Sequence, residues 1–443
     1  MSTATDSSTT KTGGAPEVGS VFVSNYPPYS FWQREQVPQA LAALDAPPLP
    51  GAPLGLYVHI PFCRVRCKFC YYKVYTDKDS AEVRQYLRGV EAEARLAAAK
   101  PAIAGRPLRF VYIGGGTPSF ISSSDLRALA AALQAELPWT GAEEVTFECE
   151  PGTLTRSKLE TVRGIGVTRL SLGVESYDDA VLKRNGRAHL SAEIDRALPW
   201  IREQGFAQVN IDLIAGMVGE TRETWRTSVA RTLAAEPDSV TIYQLELPYN
   251  TLFTRDLLGG ADDVPLATWE QKREWHGYAF EQLAAAGYEP SSAYTMVRRG
   301  REARFVYRDS VWHGCDMVGL GVASFSHMSG VHYQNLPEWG PYLESLTRGA
   351  LPLDRAYTTS AGQRLTREWI LQLKMGRVET GYFQKKFGTD VLARFAEPLG
   401  RLQTRGMLRV GDGVVELTTA GLLQADGLLP EFYAPEHQGA RYT

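Results

Sequence analysis

The sequence predicts an α/β protein, with a partial (β/α)6 TIM-like barrel and a C-terminal winged-helix-like α+β module. From residue 54 onward, apolar segments of strand length alternate with segments of helical periodicity, which gives six strand-and-helix units. Such alternation is typical of a parallel sheet joined by right-handed crossovers. A chain of 443 residues, 44% of them hydrophobic, is also long enough for one large domain and a smaller one.

The barrel elements follow this alternation in order. The predicted strands are 54–60, 109–113, 144–148, 168–174, 207–214 and 238–244. The predicted helices between them are 79–99, 123–136, 155–164, 191–204 and 221–235. Ser123 or Ser124 and Thr155 are predicted N-caps, because a hydroxyl can accept from the free backbone N–H groups of a helix start. Active sites of such barrels lie at the carboxyl ends of the strands, so we expect the functional residues there.

The chain divides into six predicted segments. They are a disordered tail (1–20), an N-terminal extension (21–53), the barrel with its extension (54–330), a linker (331–357), the winged-helix-like module (358–432) and a second tail (433–443). The first segment is rich in Ser, Thr and Gly and has too little apolar surface to fold. The second carries Tyr26-Pro-Pro-Tyr29-Ser-Phe-Trp32, whose aromatic rings either anchor it on the surface or pack over the mouth of the site.

The residues after the barrel strands predict two further regions. A helix is predicted from Trp269 to Ala286, followed by irregular, strand-prone segments up to residue 330. In the C-terminal module, predicted helices 363–373 and 390–403 precede a hairpin that joins 407–410 to 414–417. Winged helices often bind DNA, but this stretch has no basic stripe, so a covering or docking role is favoured.

The charge balance argues against two kinds of partner. Lys and Arg number 47 and Asp and Glu number 50, for a net charge of -3, so no basic excess indicates nucleic acid or an anionic membrane. The first twenty residues lack the apolar core of a signal peptide, and the apolar runs are too short to span a bilayer. We therefore expect a cytoplasmic protein, because a reducing compartment suits unpaired thiols.

Three cysteines mark the predicted centre of the site. Cys63, Cys67 and Cys70 stand at C-x3-C-x2-C spacing just after the first predicted strand. Three thiolates on one short loop can ligate three irons of a [4Fe–4S] cluster and leave the fourth iron open for chemistry. Zinc is the main alternative, but structural zinc sites use four protein ligands, and Cys149 and Cys315 form no second closely spaced pair. We interpret Cys149 as a buried structural thiol.

This spacing is that of the radical S-adenosylmethionine (SAM) enzymes. The flanking words Tyr57-Val-His-Ile-Pro-Phe-Cys63 resemble, more narrowly, the family of oxygen-independent coproporphyrinogen III oxidase, and the resemblance extends over residues 54–430. That family also includes haem chaperones, and SAM-dependent methyltransferases and cyclopropanases of natural-product pathways. The resemblance implies a radical SAM barrel, a [4Fe–4S] cluster, SAM, and an electron donor such as flavodoxin or ferredoxin.

Residues at or near the predicted strand ends match the family's SAM-binding positions. They are Tyr57, Gly115, Gly116, Thr117, Glu148, Glu175, Arg187 and Asp212. Apart from the resemblance, glycines let the backbone approach a ligand closely, and a lone acid in an apolar strand must be paired or face a polar site. A plain tight turn for the glycines and a surface position for Arg187 stay open. The family usually has Gln where this chain has Glu175, a negative charge that could complement a sulfonium or could mean a different second ligand.

Three residues are predicted to be catalytic, on the substrate side. Tyr243 and Glu246 lie at the end of the sixth predicted strand, where they either face the substrate or are structural. His313, with Cys315 and His327 nearby in sequence, is a candidate acid–base or radical-quenching residue. A lone histidine is more often simply hydrogen-bonded in a loop, and that interpretation stays open.

The chain departs from the oxidase itself at two places. The oxidase has a fourth Cys two residues after the third, where this chain has Tyr72. The C-terminal sequence motifs on the porphyrin side of the oxidase have no match around residues 315–335 of this chain. The pieces at 70–77, 245–251 and 321–325 are instead similar to the methyltransferase and cyclopropanase branch.

This finer resemblance implies a specific reaction on a small-molecule substrate. A 5′-deoxyadenosyl radical from one SAM would activate the methyl group of a second SAM, which methylates or cyclopropanates an sp2 carbon in natural-product biosynthesis. A partner methyltransferase is a further expectation. Two alternatives stay open: porphyrinogen decarboxylation by a coproporphyrinogen III oxidase, and haem binding by a chaperone.

Overall fold

The computed structural model describes residues 22–258, 266–301 and 303–440. The predicted disordered tail 1–20 lies outside the described residues, as do residues 441–443 of the second predicted tail.

Strands and helices alternate along most of the described chain. The strands are β1 (Leu54–Ile60), β2 (Leu108–Gly115), β3 (Glu144–Cys149), β4 (Arg169–Glu175), β5 (Gln208–Ala215), β6 (Ser239–Gln244), β7 (Tyr288–Pro290), β8 (Thr295–Arg298), β9 (Asp316–Leu320), β10 (Phe325–Met328), β11 (Val331–Asn335), β12 (Leu353–Thr358), β13 (Arg377–Glu379), β14 (Leu408–Gly411) and β15 (Val414–Leu417). The α-helices are α1 (Val37–Asp45), α2 (Ser80–Ala98), α3 (Ser123–Glu136), α4 (Arg156–Gly164), α5 (Asp179–Arg184), α6 (Ser191–Gln204), α7 (Arg222–Ala234), α8 (Leu252–Leu258), α9 (Trp269–Ala285), α10 (Val306–Trp312), α11 (Trp339–Thr347), α12 (Ala361–Leu373), α13 (Thr380–Phe387), α14 (Val391–Arg394), α15 (Ala396–Thr404), α16 (Thr419–Leu422) and α17 (Ala425–Leu428).

The predicted fold class is confirmed by the central sheet. β1 to β6 lie side by side in sequence order, and each pairs in parallel with the next. At least one helix joins each of these strands to the following one. The carboxyl ends of all six strands therefore lie at one edge of a partial (β/α)6 barrel.

Local sequence accounts for these elements. Six of the seven residues of β1 are buried, as expected for a parallel strand covered on both faces. Helix α2 begins with a capping box: Asp79 accepts from the N–H of Glu82 at 2.9 Å, and Glu82 accepts from the N–H of Asp79 at 3.0 Å. Thr155 caps α4 as predicted, but the cap of α3 is Ser122, one residue before the predicted pair.

The large sheet is wider than predicted, because six more strands extend its two edges. Its order is β12-β11-β10-β9-β1-β2-β3-β4-β5-β6-β8-β7. Residues 331–357, predicted as a linker, form β11, α11 and most of β12 within this sheet. Strand β11 was not recognised in the sequence because three of its five residues are the polar His, Gln and Asn. All five residues are nevertheless buried.

A separate three-stranded sheet, in the order β13-β15-β14, lies in the C-terminal module. Its core includes Trp369, Phe383 and Val415, and the N-terminal residues Val23 and Tyr26 pack into the same core. The predicted helix 390–403 is interrupted at Phe395, between α14 and α15.

The two ends of the described chain meet at Asp426 in α17. Its carboxylate accepts from the N–H of Val23 and from Nζ of Lys374, both at 2.9 Å, and from the hydroxyl of Tyr294. Lys374 also donates to the carbonyl of Val23 at 2.7 Å. The N-terminal extension, the C-terminal module and the barrel extension are thereby joined at one buried point, which we call the Asp426 junction.

Within the described ranges, no helix is both long enough and apolar enough to cross a membrane.

Candidate active site

A cavity of about 700 Å³ lies at the edge of the sheet where the six parallel strands end. Most of its wall comes from the loops and strand ends of the barrel, as expected for this architecture. The C-terminal module closes one side with residues 422–428 and Arg405, and Phe22 of the N-terminal extension reaches the cavity as well. This agrees with the predicted covering role of the module.

The three closely spaced cysteines lie on one loop at this cavity. Cys63, Cys67 and Cys70 are half-buried, carry free thiols and line the cavity. Tyr75 closes the loop on itself, because its carbonyl accepts from the N–H of Cys63 at 3.1 Å and its own N–H donates to the carbonyl of Pro61 at 2.6 Å. Burial raises the pKa of Cys63 to about 11 and that of Cys70 to about 12, so a bound iron must displace protons from both thiols.

Hydrogen-bond donors point at two of the sulfur atoms. The hydroxyl of Thr117 donates to Sγ of Cys63 and Nη1 of Arg187 donates to Sγ of Cys67, both at 3.4 Å. A Cβ at Gly116 would lie 3.0 Å from Sγ of Cys63, so the glycine leaves room beside this thiol. Three soft sulfur ligands with donors to sulfur fit the environment of a [4Fe–4S] cluster.

The zinc alternative would need a tighter arrangement. Among the described residues, no group of three or more His, Cys, Asp or Glu side chains is arranged to hold a single metal ion. Cys149 is 5% exposed and belongs to the hydrophobic core, as expected of a structural thiol.

The glycine segment after β2 contacts the acidic end of β3. Gly115 has a φ of 117°, a conformation that favours glycine, and its N–H donates to Glu148 at 3.0 Å. The other carboxylate oxygen of Glu148 accepts from the hydroxyl of Tyr112 at 2.5 Å. Burial raises the pKa of Glu148 to about 7, because both donors compensate only part of the lost hydration.

Two further predicted residues lie across the cavity on β4 and in the loop after α5. Glu175 ends β4 with a φ of 65°, beside a bulge, and its carboxylate lies 3.5 Å from Nη2 of Arg187. That nitrogen also donates to the carbonyl of Gly173 at 2.8 Å. Burial raises the pKa of Glu175 to about 7 in spite of the ion pair. A strained backbone and a buried charge at one residue are typical of functional sites.

Asp212 supplies the third half-buried carboxyl group of the cavity. It accepts from the hydroxyl of Ser171 at 2.8 Å and from the amide of Asn210 at 2.9 Å, and burial raises its pKa. The predicted need of this lone acid for polar partners is therefore met. Glu148, Glu175 and Asp212 line the cavity together with Arg169 and Arg187, so groups of both charge signs face a ligand there.

Comparisons with known proteins agree with this arrangement. The model of the Radical SAM superfamily matches residues 57–231. Haem chaperone HemW of Mycobacterium tuberculosis is 30% identical over 348 residues, which cover 77% of this chain and 86% of the relative. The chain belongs to the radical SAM superfamily. Within it, the chain belongs to the family of coproporphyrinogen III oxidases and HemW haem chaperones.

Two further matches show how much of this radical SAM protein is shared. The oxygen-independent coproporphyrinogen III oxidase of Pseudomonas aeruginosa is 28% identical over 413 residues, or 89% of this chain and 88% of the relative. The solved structure of coproporphyrinogen III oxidase (HemN) from Escherichia coli is 24% identical and has a TM-score of 0.81, over 93% of this chain and 96% of that chain. The latter confirms the fold, including the part after the barrel.

Membership confirms the cofactors and corrects the predicted branch. A [4Fe–4S] cluster and SAM are confirmed, whereas the number of SAM molecules stays a prediction. The prediction of a natural-product C-methyltransferase or cyclopropanase is wrong, because the relatives are coproporphyrinogen III oxidases and haem chaperones. Segment 321–325 was one basis of that prediction, and its glycine is explained by packing. Gly321 lies against Tyr86 and His59, where no side chain would fit.

The structure brings most of the predicted site residues of this radical SAM protein together, but not all. Tyr243 and Glu246 line the cavity. Tyr57 is not among the lining residues, and its hydroxyl contacts Nδ1 of His59 at 3.0 Å. His313 lies at the end of α10, away from the cavity, where its Nδ1 contacts the carbonyl of Asp309 at 2.6 Å.

The sequence reasoning did not predict two features of the site, namely the contact of Glu150 with the cysteine loop and the position of Arg169. Glu150 accepts two hydrogen bonds from Arg64 in the cysteine loop, at 2.7 and 3.2 Å, and lies 3.3 Å from His189, so it fixes that loop to the barrel. Arg169, at the start of β4, lines the cavity. A sequence signal existed for Arg169: it is a charged residue in register with Glu175 on an otherwise apolar strand.

Proposed function

We propose that this protein oxidises coproporphyrinogen III, or a closely related porphyrinogen, by oxygen-independent decarboxylation of a side chain. The observation that carries the proposal is the single cavity where the three cysteines meet the glycine segment and the three half-buried carboxyl groups. Membership of this family, together with such a cavity, supports the proposal that the protein is an enzyme that cleaves SAM beside its substrate. The similarity to a named coproporphyrinogen III oxidase over 88% of that enzyme supports the choice of substrate.

In this proposal the chain's own residues hold and orient the cofactors. Cys63, Cys67 and Cys70 hold the cluster. When bound, the cluster and SAM supply a 5′-deoxyadenosyl radical that removes a hydrogen atom from the substrate. Glu148 receives the amino group of SAM, and the backbone of Gly115 comes close to it because no Cβ intervenes. The remaining predicted cofactor ligands that line the cavity are Gly116, Thr117, Glu175, Arg187 and Asp212, whereas Tyr57 does not line it.

The substrate side of the cavity is aromatic. Tyr71 and Tyr72 stack at a centroid distance of 4.6 Å and are 36% and 49% exposed. Tyr243 is 40% exposed and stacks against Tyr294 at 6.0 Å. Exposed tyrosine rings at a cavity offer apolar faces with polar tips, which suit a large cyclic substrate with polar substituents. Glu246 is the acidic residue nearest to this group in sequence.

The proposal also requires one electron for SAM cleavage, an electron acceptor for the electron that the substrate radical releases as it loses carbon dioxide, and a reducing environment for the thiols. We assign the electron to a small donor such as flavodoxin or ferredoxin, and the location to the cytoplasm, where the free thiols stay reduced. Neither nucleic acid nor a membrane is needed as a partner.

The test is turnover by anaerobically reconstituted protein. With dithionite, SAM and coproporphyrinogen III, we expect 5′-deoxyadenosine and carbon dioxide to form together. The Cys67→Ala variant should form neither, whereas Cys315→Ala, which removes a buried thiol outside the cavity, should retain both. Formation of 5′-deoxyadenosine without carbon dioxide and without loss of coproporphyrinogen III would refute the proposed substrate.

A haem chaperone is the second candidate function. It is favoured by Tyr72 at the position where the oxidase has a fourth cysteine, and by the 30% identity to HemW. A haem titration of the reconstituted protein followed at the Soret band distinguishes the two. Saturable stoichiometric haem binding without any turnover of coproporphyrinogen III would favour the chaperone.

A further inference from the structure

Strand β4 has one apolar face and one face toward the cavity. The apolar side chains belong to the hydrophobic core and are Leu170, Leu172 and Val174. The cavity-lining residues are Arg169, Ser171, Gly173 and Glu175. Because a strand rises about 3.3 Å per residue, the Cα of Arg169 lies about 20 Å along the strand from that of Glu175. Arg169 lies at the amino end of β4, which we call the floor of the cavity. The cysteine loop follows the carboxyl end of β1, at the opposite edge of the parallel sheet, which we call the mouth.

Arg169 is buried without using its hydrogen-bond donors. The residue is 2% exposed, and its guanidinium lies over the ring of Phe305, 4.0 Å from the ring centroid. Nε and Nη1 are buried and have no hydrogen-bond partner among the described residues. By contrast Arg367, which is 4% exposed, donates to Asn25 at 2.6 Å and to the carbonyl of Val311 at 3.1 Å. Buried guanidinium groups normally have such partners. Among the described residues, single unpartnered nitrogens also occur at Arg66, Arg109, Arg187 and Arg308, but Arg169 has two.

Nearby carboxyl groups balance the charge of Arg169 but do not occupy its donors. Burial raises the pKa of Glu144, Glu148 and Asp212, and the positive charge of Arg169 opposes that rise in each. Each of these groups already accepts hydrogen bonds from other donors, namely the N–H groups of Val306 and Tyr307 for Glu144, Tyr112 and Gly115 for Glu148, and Ser171 and Asn210 for Asp212. Nε and Nη1 of Arg169 are therefore buried without a partner, and Nη2 is the guanidinium nitrogen left to face the cavity that the residue lines.

We propose that Arg169 binds a carboxylate of the substrate at the floor of the cavity. The proposal rests on the proposed function, since coproporphyrinogen III carries carboxylates at the ends of its propionate side chains. The end of a guanidinium offers the N–H groups of Nη1 and Nη2 in one plane, which match the two oxygens of a carboxylate. The ring of Phe305 holds that plane, so the bound carboxylate would fix which side chain of the substrate reaches the mouth.

The test compares variants in binding rather than in turnover. Reconstituted protein with SAM is titrated anaerobically with coproporphyrin III, a fluorescent tetracarboxylate, and with its tetramethyl ester. Arg169→Met should raise Kd for the tetracarboxylate at least ~30-fold, and Arg169→Lys should recover part of the loss. The ester should bind wild type and Arg169→Met alike. Arg226→Met is the matched control, because Arg226 also lies over an aromatic ring, Tyr278 at 5.2 Å, but outside the cavity.

The outcomes separate this inference from the proposed function. If wild type binds coproporphyrin III and Arg169→Met binds it equally well, the anchor is refuted while the function stands. If wild type binds no tetrapyrrole, the proposed function fails, and crystals of the holoprotein soaked in sodium bromide then decide the anion site. An anomalous bromide peak at hydrogen-bonding distance from the guanidinium of Arg169 supports the anchor, and an ordered water alone overturns it. This measurement does not depend on the folding of any variant.

Discussion

SAM binding should weaken about tenfold when the pH falls from 8 to 6, because Glu148 must be ionised to receive the amino group of SAM. Burial raises the pKa of this carboxyl group from 4.5 to about 7. The group is therefore about nine-tenths ionised at pH 8 and about one-tenth ionised at pH 6, and the apparent Kd varies inversely with the ionised fraction. Since the folded pKa is raised, the binding-competent form is lost as the pH falls through 7.

The Glu148→Gln variant should remove the contribution of Glu148 to this pH dependence and weaken binding at pH 8 by about 10- to 100-fold, the loss of one charge-assisted hydrogen bond. Equilibrium dialysis of labelled SAM against reconstituted protein, from pH 6 to 8 at constant ionic strength, gives both values. Glu175 also has a pKa of about 7 and can add a second pH-dependent step. The Glu175→Gln variant separates the two contributions, because it leaves Glu148 intact.

A buried carboxyl group elsewhere provides the control. Burial raises the pKa of Glu93 to about 7 as well, but this residue accepts from Gly321 and Tyr342 and does not line the cavity. The Glu93→Gln variant should keep the wild-type dependence of Kd on pH. If wild type binds SAM equally at pH 6 and 8, or if Glu148→Gln keeps wild-type affinity at pH 8, the assigned role of Glu148 is wrong.

Three other substitutions test the site and its support. Gly116→Ala should lower iron and sulfide per chain, because its Cβ would lie 3.0 Å from a cluster thiol, whereas Gly141→Ala, with nothing within 4 Å, should load normally. Arg187→Met should shift the cluster's midpoint potential by about -60 mV in an EPR-monitored titration, because the hydrogen bond to Sγ of Cys67 is lost. That shift corresponds to ~1.4 kcal/mol for a one-electron couple, and an unchanged potential would contradict this role. Lys374→Met should destabilise the C-terminal module by about 3 kcal/mol, because it leaves the carboxylate of Asp426 without its buried partner, and an unchanged urea midpoint would argue against it.

The central strands were predictable because burial on both faces makes them continuous apolar runs. The bounds of β1 match the prediction residue for residue, and β3 to β6 differ from it by one residue at their ends. The outer strands were not predictable from hydrophobic periodicity. His327 in β10 and His332 in β11 are buried, and their Nδ1 atoms lie 2.9 Å apart. Polar residues therefore occupy interior positions in these strands, which hides them from a search for apolar periodicity.

The candidate site divides in the same way. The cysteine loop and the glycine segment are local patterns, and their spacing alone indicates a ligand. His313 was a plausible candidate by residue type, but only the packing of α10 shows that it lies away from the cavity. Arg169 was missed for the opposite reason, because its importance comes from N–H groups that lack partners in space.

The Asp426 junction has a consequence for how the protein is made. Val23 and Asp426 are 403 residues apart in the chain, and residues 422–428 form one side of the cavity. On the ribosome the cysteine loop emerges early, while that side of the cavity is still unsynthesised. Iron and sulfide delivered before residues 422–428 are made would meet a cavity that lacks this side, whereas a cluster replaced in the finished protein has to enter past it.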